Sequence, residues 1–118
     1  MLMNQTKILK AVRNHDVILI DVRTKEEYLE GYIPEAVLYP LSEVQRAKTF
    51  EFPKNQTIFV YCRSGRRSGI ARKILKKHGY KVKNIGGILK WRLEIEKGNP
   101  FVKQNLRYQN YVNFFKML

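Results

Sequence analysis

Two short, almost uninterrupted apolar runs constrain this chain most: DVILID at residues 16–21 and TIFVYC at 57–62. Neither alternates polar with apolar side chains, and both are too short for an independent helix, so each reads as a strand buried on both faces. The second is the stronger, being rich in β-branched and aromatic residues. A strand buried on both sides needs a layer of helix above and below it.

The intervening segments have that character. In NQTKILKAV, Ile8, Leu9 and Val12 recur at helical spacing behind a possible Asn4 or Thr6 cap. TKEEYLEGYIP starts with Thr24 and carries Glu27 three residues on, the pattern of a capping box, with Gly31 and Pro34 to end the helix. AVLYPLSEV predicts a short strand at Val37 and Leu38 and a new helix capped by Ser42. SGIARKILKKHGY places Ile70, Ile74 and Leu75 on one face, lysines on the other and Gly79 at the left-handed C-terminal position. KVKNI predicts another strand, GGILKWRLEIEKG a helix from Ile88 to about Lys97, and residues 101–118 a last amphipathic segment. The expected fold is α/β, with a central, mostly parallel sheet of four to five short strands and helices on both faces. Its binding site belongs beyond the carboxyl ends of the strands.

With 118 residues there is room for one domain. We expect it over residues 1–100, with 101–118 an amphipathic, helical extension packed on it. Phe101, Leu106, Tyr108, Tyr111, Phe114, Phe115 and Leu118 are too many large apolar groups to leave in water, and they leave monomer and homodimer both open. No apolar run reaches the roughly 18 residues of a membrane span, and the start lacks the pattern of a signal peptide, so a cytoplasmic location is expected. One cysteine permits no internal disulfide, and His15 and His78 cannot complete a cysteine-rich zinc site; no metal or cofactor is expected.

The net charge of +13 is unevenly spread. Residues 1–52 hold seven Lys/Arg and eight Asp/Glu, whereas residues 53–93 hold twelve and none. Such a field attracts anions of any size, from a small substrate to nucleic acid.

At the centre of that basic stretch stands the lone thiol, in YCRSGRRSG at 61–69. A loop joining a strand to a helix N-terminus presents backbone N–H groups without helical partners, and a succession of them forms an anion-binding nest. Gly65 and Gly69 would allow close turns. Arg63, Arg66 and Arg67 add positive charge, and a helix starting near Ser68 adds its dipole, all favouring a thiolate at Cys62. No histidine stands in the loop, so activation is electrostatic. This reading requires a sulfur that is ionised and not occluded.

These residues resemble the rhodanese-like domain, the family of single-domain sulfurtransferases. The resemblance is carried by DVRTKEEYLEGYIPEAVLYPLSEV at 21–44, VYCRSGRRS at 60–68 and IGGILKW at 85–91, in the family's order and spacing. Tyr32 and Glu35 depart from it, standing where a histidine and a glycine are common, and the first family strand is shortened or missing before Asn4. The resemblance implies that Cys62 takes sulfur from an anionic donor such as thiosulfate, carries it as a persulfide and yields it to a thiol, cyanide or a sulfur-carrier protein. The substrate-binding residues implied are Arg63, Ser64, Gly65, Arg66, Arg67 and Ser68, with Arg67 first for gripping the donor. Related phosphatases place an arginine six residues after the cysteine; here that position is Ser68, and the shorter cradle argues against phosphoryl chemistry.

Other residues read as structural. Asp21 and Arg23 are expected to fix the sheet end, Glu26 and Glu27 to form a solvated first turn, and Trp91 to pack in the core. The lysine face RKILKKHGYKVK lacks interleaved aromatics, which makes nucleic acid the lesser partner. The alternative function is a non-catalytic module that binds a protein or nucleic acid through this surface.

Overall fold

The computed structural model describes residues 4–98. Its elements alternate: α1 (Gln5–Arg13), β1 (Val17–Asp21), α2 (Lys25–Glu30), β2 (Val37–Leu38), α3 (Leu41–Arg46), β3 (Thr57–Cys62), α4 (Arg66–Lys77), β4 (Val82–Gly87) and a 3-10 turn at Ile88–Lys90. The four strands form one parallel sheet in the order β2-β1-β3-β4. From β1 the chain steps outward to β2, then crosses back over β1 to β3 and on to β4. Right-handed crossovers therefore place α2 on one face and put α3 and α4 together on the other, where they pack against each other. The direction of winding reverses between β1 and β3, whose carboxyl ends lie side by side with Asp21 in register with Tyr61. That crevice is where an open parallel sheet holds its ligand.

The two apolar runs are the centre of the molecule, as their composition requires. All five residues of β1 are buried, and so are Ile58 to Cys62 of β3. Ile8 and Val12 from α1, Ala71 and Leu75 from α4, and Ile85 from β4 close over them, each fully buried. Burying a side chain of this size contributes roughly 1.5–3 kcal/mol.

Local signals behave largely as their chemistry demands. Asn4 caps α1 by accepting the Lys7 N–H at 3.2 Å. Thr24 and Glu27 form a complete capping box on α2. Gly79 sits at φ +92, where a side chain would be strained. Tyr32 is buried and stacks on Tyr28, ring centroids 4.2 Å apart, while Tyr28 donates to the Ala36 carbonyl at 2.6 Å.

Four expectations are corrected. The segment after Gly87 is not a helix to Lys97: after the 3-10 turn it runs extended, and Glu96 pairs with Tyr32 through two backbone hydrogen bonds of 2.8 and 2.9 Å. Trp91, Leu93 and Ile95 recur at every second residue, an extended period, and buried Trp91 donates its indole N–H to the Glu94 carbonyl. Ile95 lies over Gly31, where an added Cβ would come within 2.9 Å of it. The third helix starts two residues early, at Leu41, with Pro40 rather than Ser42 at its cap. The Tyr39 and Leu41 N–H groups are pinned to the carbonyls of Asp21 and Val22, so the sheet sets where α3 begins. Likewise α4 opens at Arg66 rather than near Ser68, which draws both arginines into its first turn. Gly69 consequently lies inside α4 and makes no turn.

The amphipathic segment expected at 101–118 lies outside the described residues. Among the described residues, no helix is long and apolar enough to cross a membrane.

Candidate active site

β3 ends at Cys62 and α4 starts at Arg66, so residues 63–65 must turn the chain within three positions. Gly65 makes this possible, at φ +107, a conformation that a side chain would oppose. The turn brings the Gly65 N–H to 3.0 Å from the Cys62 sulfur and the Ser68 hydroxyl to 3.4 Å. Burial pushes the Cys62 thiol up, but the Ser68 hydroxyl and the amides of Ser68, Gly65 and Ser64 outweigh it, and the net direction is below an ordinary thiol. Negative charge on the sulfur is thus favoured mainly by hydrogen bonds from the loop, a more local cause than the arginine field.

Cys62 itself is only 1% exposed. An exposed thiol is therefore not what this fold presents: the sulfur lies at the floor of the loop, and any reagent must bring its reacting atom into the nest.

The loop rests on the end of β4. A bulge between the Val60 and Tyr61 registers sets one extra residue, Ile85, into β4, and this slides Gly86 and Gly87 beneath the loop. A Cβ on Gly87 would stand 2.2 Å from the Arg63 carbonyl oxygen and 2.6 Å from the Ser64 Cα, an impossible approach. Gly86 lies under Gly65 at van der Waals distance, where a Cβ on Gly65 would meet the Gly86 Cα at 3.4 Å. Asn84 ties the two segments together. Its Nδ2 donates to the Gly65 carbonyl at 2.9 Å, and its Oδ1 accepts from the Gly86 N–H at 3.0 Å and from the Ser68 hydroxyl at 2.8 Å. The hydroxyl has one hydrogen, so the sulfur and Asn84 Oδ1 compete for it, and a charged sulfur is the stronger acceptor.

The arginines have separate fates. Arg63 and Arg66 are exposed at the rim. Arg67 is half-buried and makes a bidentate pair with Glu27, at 2.7 and 2.9 Å. That guanidinium, against the opposing effect of burial, holds the Glu27 carboxyl down at about 2. Glu27 is therefore no solvated first-turn acid, as expected from sequence, but a cross-link from α2 to the loop. Arg67 also borders a cavity of about 260 Å³ lined by Val22, Thr24, Leu41 and Gln45.

Beneath it Asp21 and Arg23 form a buried pair. The Arg23 guanidinium donates to both Asp21 oxygens at 2.6–3.0 Å and to the Gly31 carbonyl at 2.6 Å. Burial pushes the Asp21 carboxyl up, with Arg23 opposing. This pair anchors the end of β1.

Sequence reasoning named Cys62 and the loop but assigned no role to Asn84, Gly86 or Gly87. A polar residue inside a short strand, followed two residues on by a glycine pair, was the signal available.

A parallel sheet covered on both faces, with a cysteine at the switch point where a strand turns into a helix, defines a class of α/β proteins. Comparison with known proteins places the chain within it: the rhodanese-like domain family matches residues 4–94, and the chain belongs to that family. It is 41% identical over 78 residues to a sulfurtransferase of Allochromatium vinosum, covering 64% of this chain and 72% of that protein. It is 45% identical over 71 residues to the thiosulfate sulfurtransferase PspE of Escherichia coli, covering 58% and 68%. Similarity to the adenylyltransferase and sulfurtransferase uba4 of Ogataea parapolymorpha, 38% over 84 residues, spans 70% of this chain but only 22% of that protein. Among solved structures, a rhodanese with anions from E. coli superposes with a TM-score of 0.58 at 37% identity, covering 69% of this chain and 98% of that one. The BH2092 protein of Bacillus halodurans gives a TM-score of 0.70 at 25% identity, over 92% and 87%.

Proposed function

We propose that this protein is a sulfurtransferase that carries sulfane sulfur on Cys62. The observation that carries the reading is the sulfur's place in the nest, 3.0 Å from the Gly65 N–H and 3.4 Å from the Ser68 hydroxyl. In the first half-reaction the Cys62 thiolate attacks the outer sulfur of thiosulfate. A new S–S bond forms, the S–S bond of the donor breaks, and its electron pair leaves with sulfite. The persulfide inherits one negative charge, now on the terminal sulfur, which the loop amides are oriented to stabilise. In the second half-reaction the thiolate of an acceptor attacks that terminal sulfur. The persulfide bond breaks, its electrons return to Cys62, and the acceptor departs as a persulfide.

Arg67, held rigid by Glu27, supplies fixed positive charge beside the nest, and the exposed Arg63 and Arg66 draw the anionic donor to the rim. The sulfurtransferase names of the relatives from A. vinosum and E. coli support this reading. Thiosulfate is the donor proposed, and a thiol the acceptor.

Intact-mass measurement after incubation with thiosulfate tests it. The protein should gain one sulfur, cyanide should remove it, and Cys62→Ser should never acquire it. The burial of Cys62 favours the other reading, a binding module without turnover. No mass gain from thiosulfate, and no reaction of Cys62 with small alkylating agents, would establish that one instead.

A further inference from the structure

Beside the nest, a groove of about 570 Å³ runs between α4 and β4. Arg66, Ile70 and Lys73 line it from one face of α4, at spacings of four and three residues, and Lys83 and Asn84 face them from β4. Arg72 spans the two elements, its Nε donating to the Val82 carbonyl at 3.1 Å. The groove is joined to the site at two points: Arg66 opens the helix that follows the loop, and Asn84 is bonded to Gly65 and Ser68.

We propose that this groove docks an acidic segment of a protein that accepts the sulfur, which deepens the sulfurtransferase reading and rests on it. Charge supplies the first argument. Four cationic side chains line the groove, and residues 53–93 contain no aspartate or glutamate. A carboxylate-rich strand is steered there and held, and steering of this kind speeds encounter as well as tightening it. Shape and chemistry supply the second. Ile70 is 41% exposed in the groove, an apolar anchor that a polypeptide can cover. None of the lining residues is aromatic, so bases of a single-stranded nucleic acid would find no platform to stack on. Need supplies the third. Cys62 is buried and the chain has no second cysteine, so the acceptor must bring its own thiol to the nest. Tethering that thiol to a segment held in the adjoining groove raises its effective concentration there.

The probes are a fluorescent peptide of alternating glutamate and leucine ending in cysteine, its glutamine analogue, and a short single-stranded RNA, all at about 150 mM salt. Anisotropy of the protein as isolated should show the acidic peptide binding about tenfold more tightly than the glutamine analogue, a difference of about 1.4 kcal/mol, and more tightly than RNA. With the sulfur-loaded protein, the acidic peptide should take the sulfur at correspondingly lower concentration. Lys73→Glu combined with Lys83→Glu should abolish the acidic preference while cyanide still strips the sulfur at the original rate. Equal binding of the two peptides, a preference that survives the double substitution, or tighter binding of RNA would each overturn the proposal. Failure of Cys62 to load sulfur sinks the sulfurtransferase reading separately, because peptide binding is measured without it.

Discussion

Glu27 and Arg67 lie 40 residues apart in the chain and hold each other at 2.7 and 2.9 Å, joining the first turn of α2 to the first turn of α4 across the mouth of the site. Each is also locked locally, Glu27 by the capping box and Arg67 by the helix that follows the loop. In the reaction proposed for this site, a charge held in this way would not have to reorganise.

Glu27→Gln should therefore lower stability at neutral pH by about 1 kcal/mol, a figure already reduced for partial solvent screening. The pH dependence has a definite sign. The Glu27 pKa is lowered from 4.5 to about 2, so its contribution is complete above 4.5 and drains away as the pH falls toward 2. Urea unfolding at a series of pH values should show the gap between wild type and variant closing over that range. A constant gap would mean that the pair adds no stability through charge.

Removing the Ser68 hydroxyl takes away the largest hydrogen-bonding cause that favours the Cys62 thiolate. In Ser68→Ala the thiol pKa should rise, and sulfur loading at neutral pH should fall about fivefold, the equivalent of one hydrogen bond of about 1 kcal/mol. Ultraviolet absorbance of the thiolate against pH gives the direction. In the wild type, loading should climb with pH and level off earlier than for a free thiol. In the variant that plateau should shift to higher pH.

Two glycines in the same neighbourhood should respond in opposite ways. Gly87→Ala drives a Cβ into the Arg63 and Ser64 backbone, so stability should drop by about 1–3 kcal/mol and loading should collapse as the nest distorts. Gly69 lies inside α4 with only the Asn84 side chain near its Cβ position, at 3.5 Å. Gly69→Ala should raise stability by about 0.5–1 kcal/mol through helix propensity. Thermal unfolding of both variants, read together with intact-mass loading, checks the contrast.

Arg23→Met should be the most damaging of these substitutions. It strands the fully buried Asp21 carboxylate without its cation, at a cost of about 3–5 kcal/mol. With the Arg23 guanidinium gone, burial pushes Asp21 up against only the Tyr61 hydroxyl and the backbone N–H of residue 23, so lowering the pH should recover part of the loss. Chemical denaturation at neutral and mildly acidic pH measures both effects.

Much of this protein could be read from residue order alone, because the relevant forces act over a few neighbours. Uninterrupted apolar runs have no stable place except inside a sheet, which fixed β1 and β3. Thr24 with Glu27, and Gly79, are caps whose partners lie within one turn. The loop at Cys62 was legible for the same reason, since amides left over at a helix start and a glycine at the turn are local facts. Tertiary structure decided what depends on distant partners. Trp91 to Glu96 has an ambiguous pattern, and pairing with Tyr32 resolved it as extended chain. Asn84, Gly86 and Gly87 acquire their roles only because a bulge brings β4 beneath the loop, and Glu27 becomes a cross-link only because α2 and α4 open at neighbouring strand ends. The depth of the Cys62 sulfur belongs here too: accessibility is set by everything packed around an atom, and no local pattern contains it.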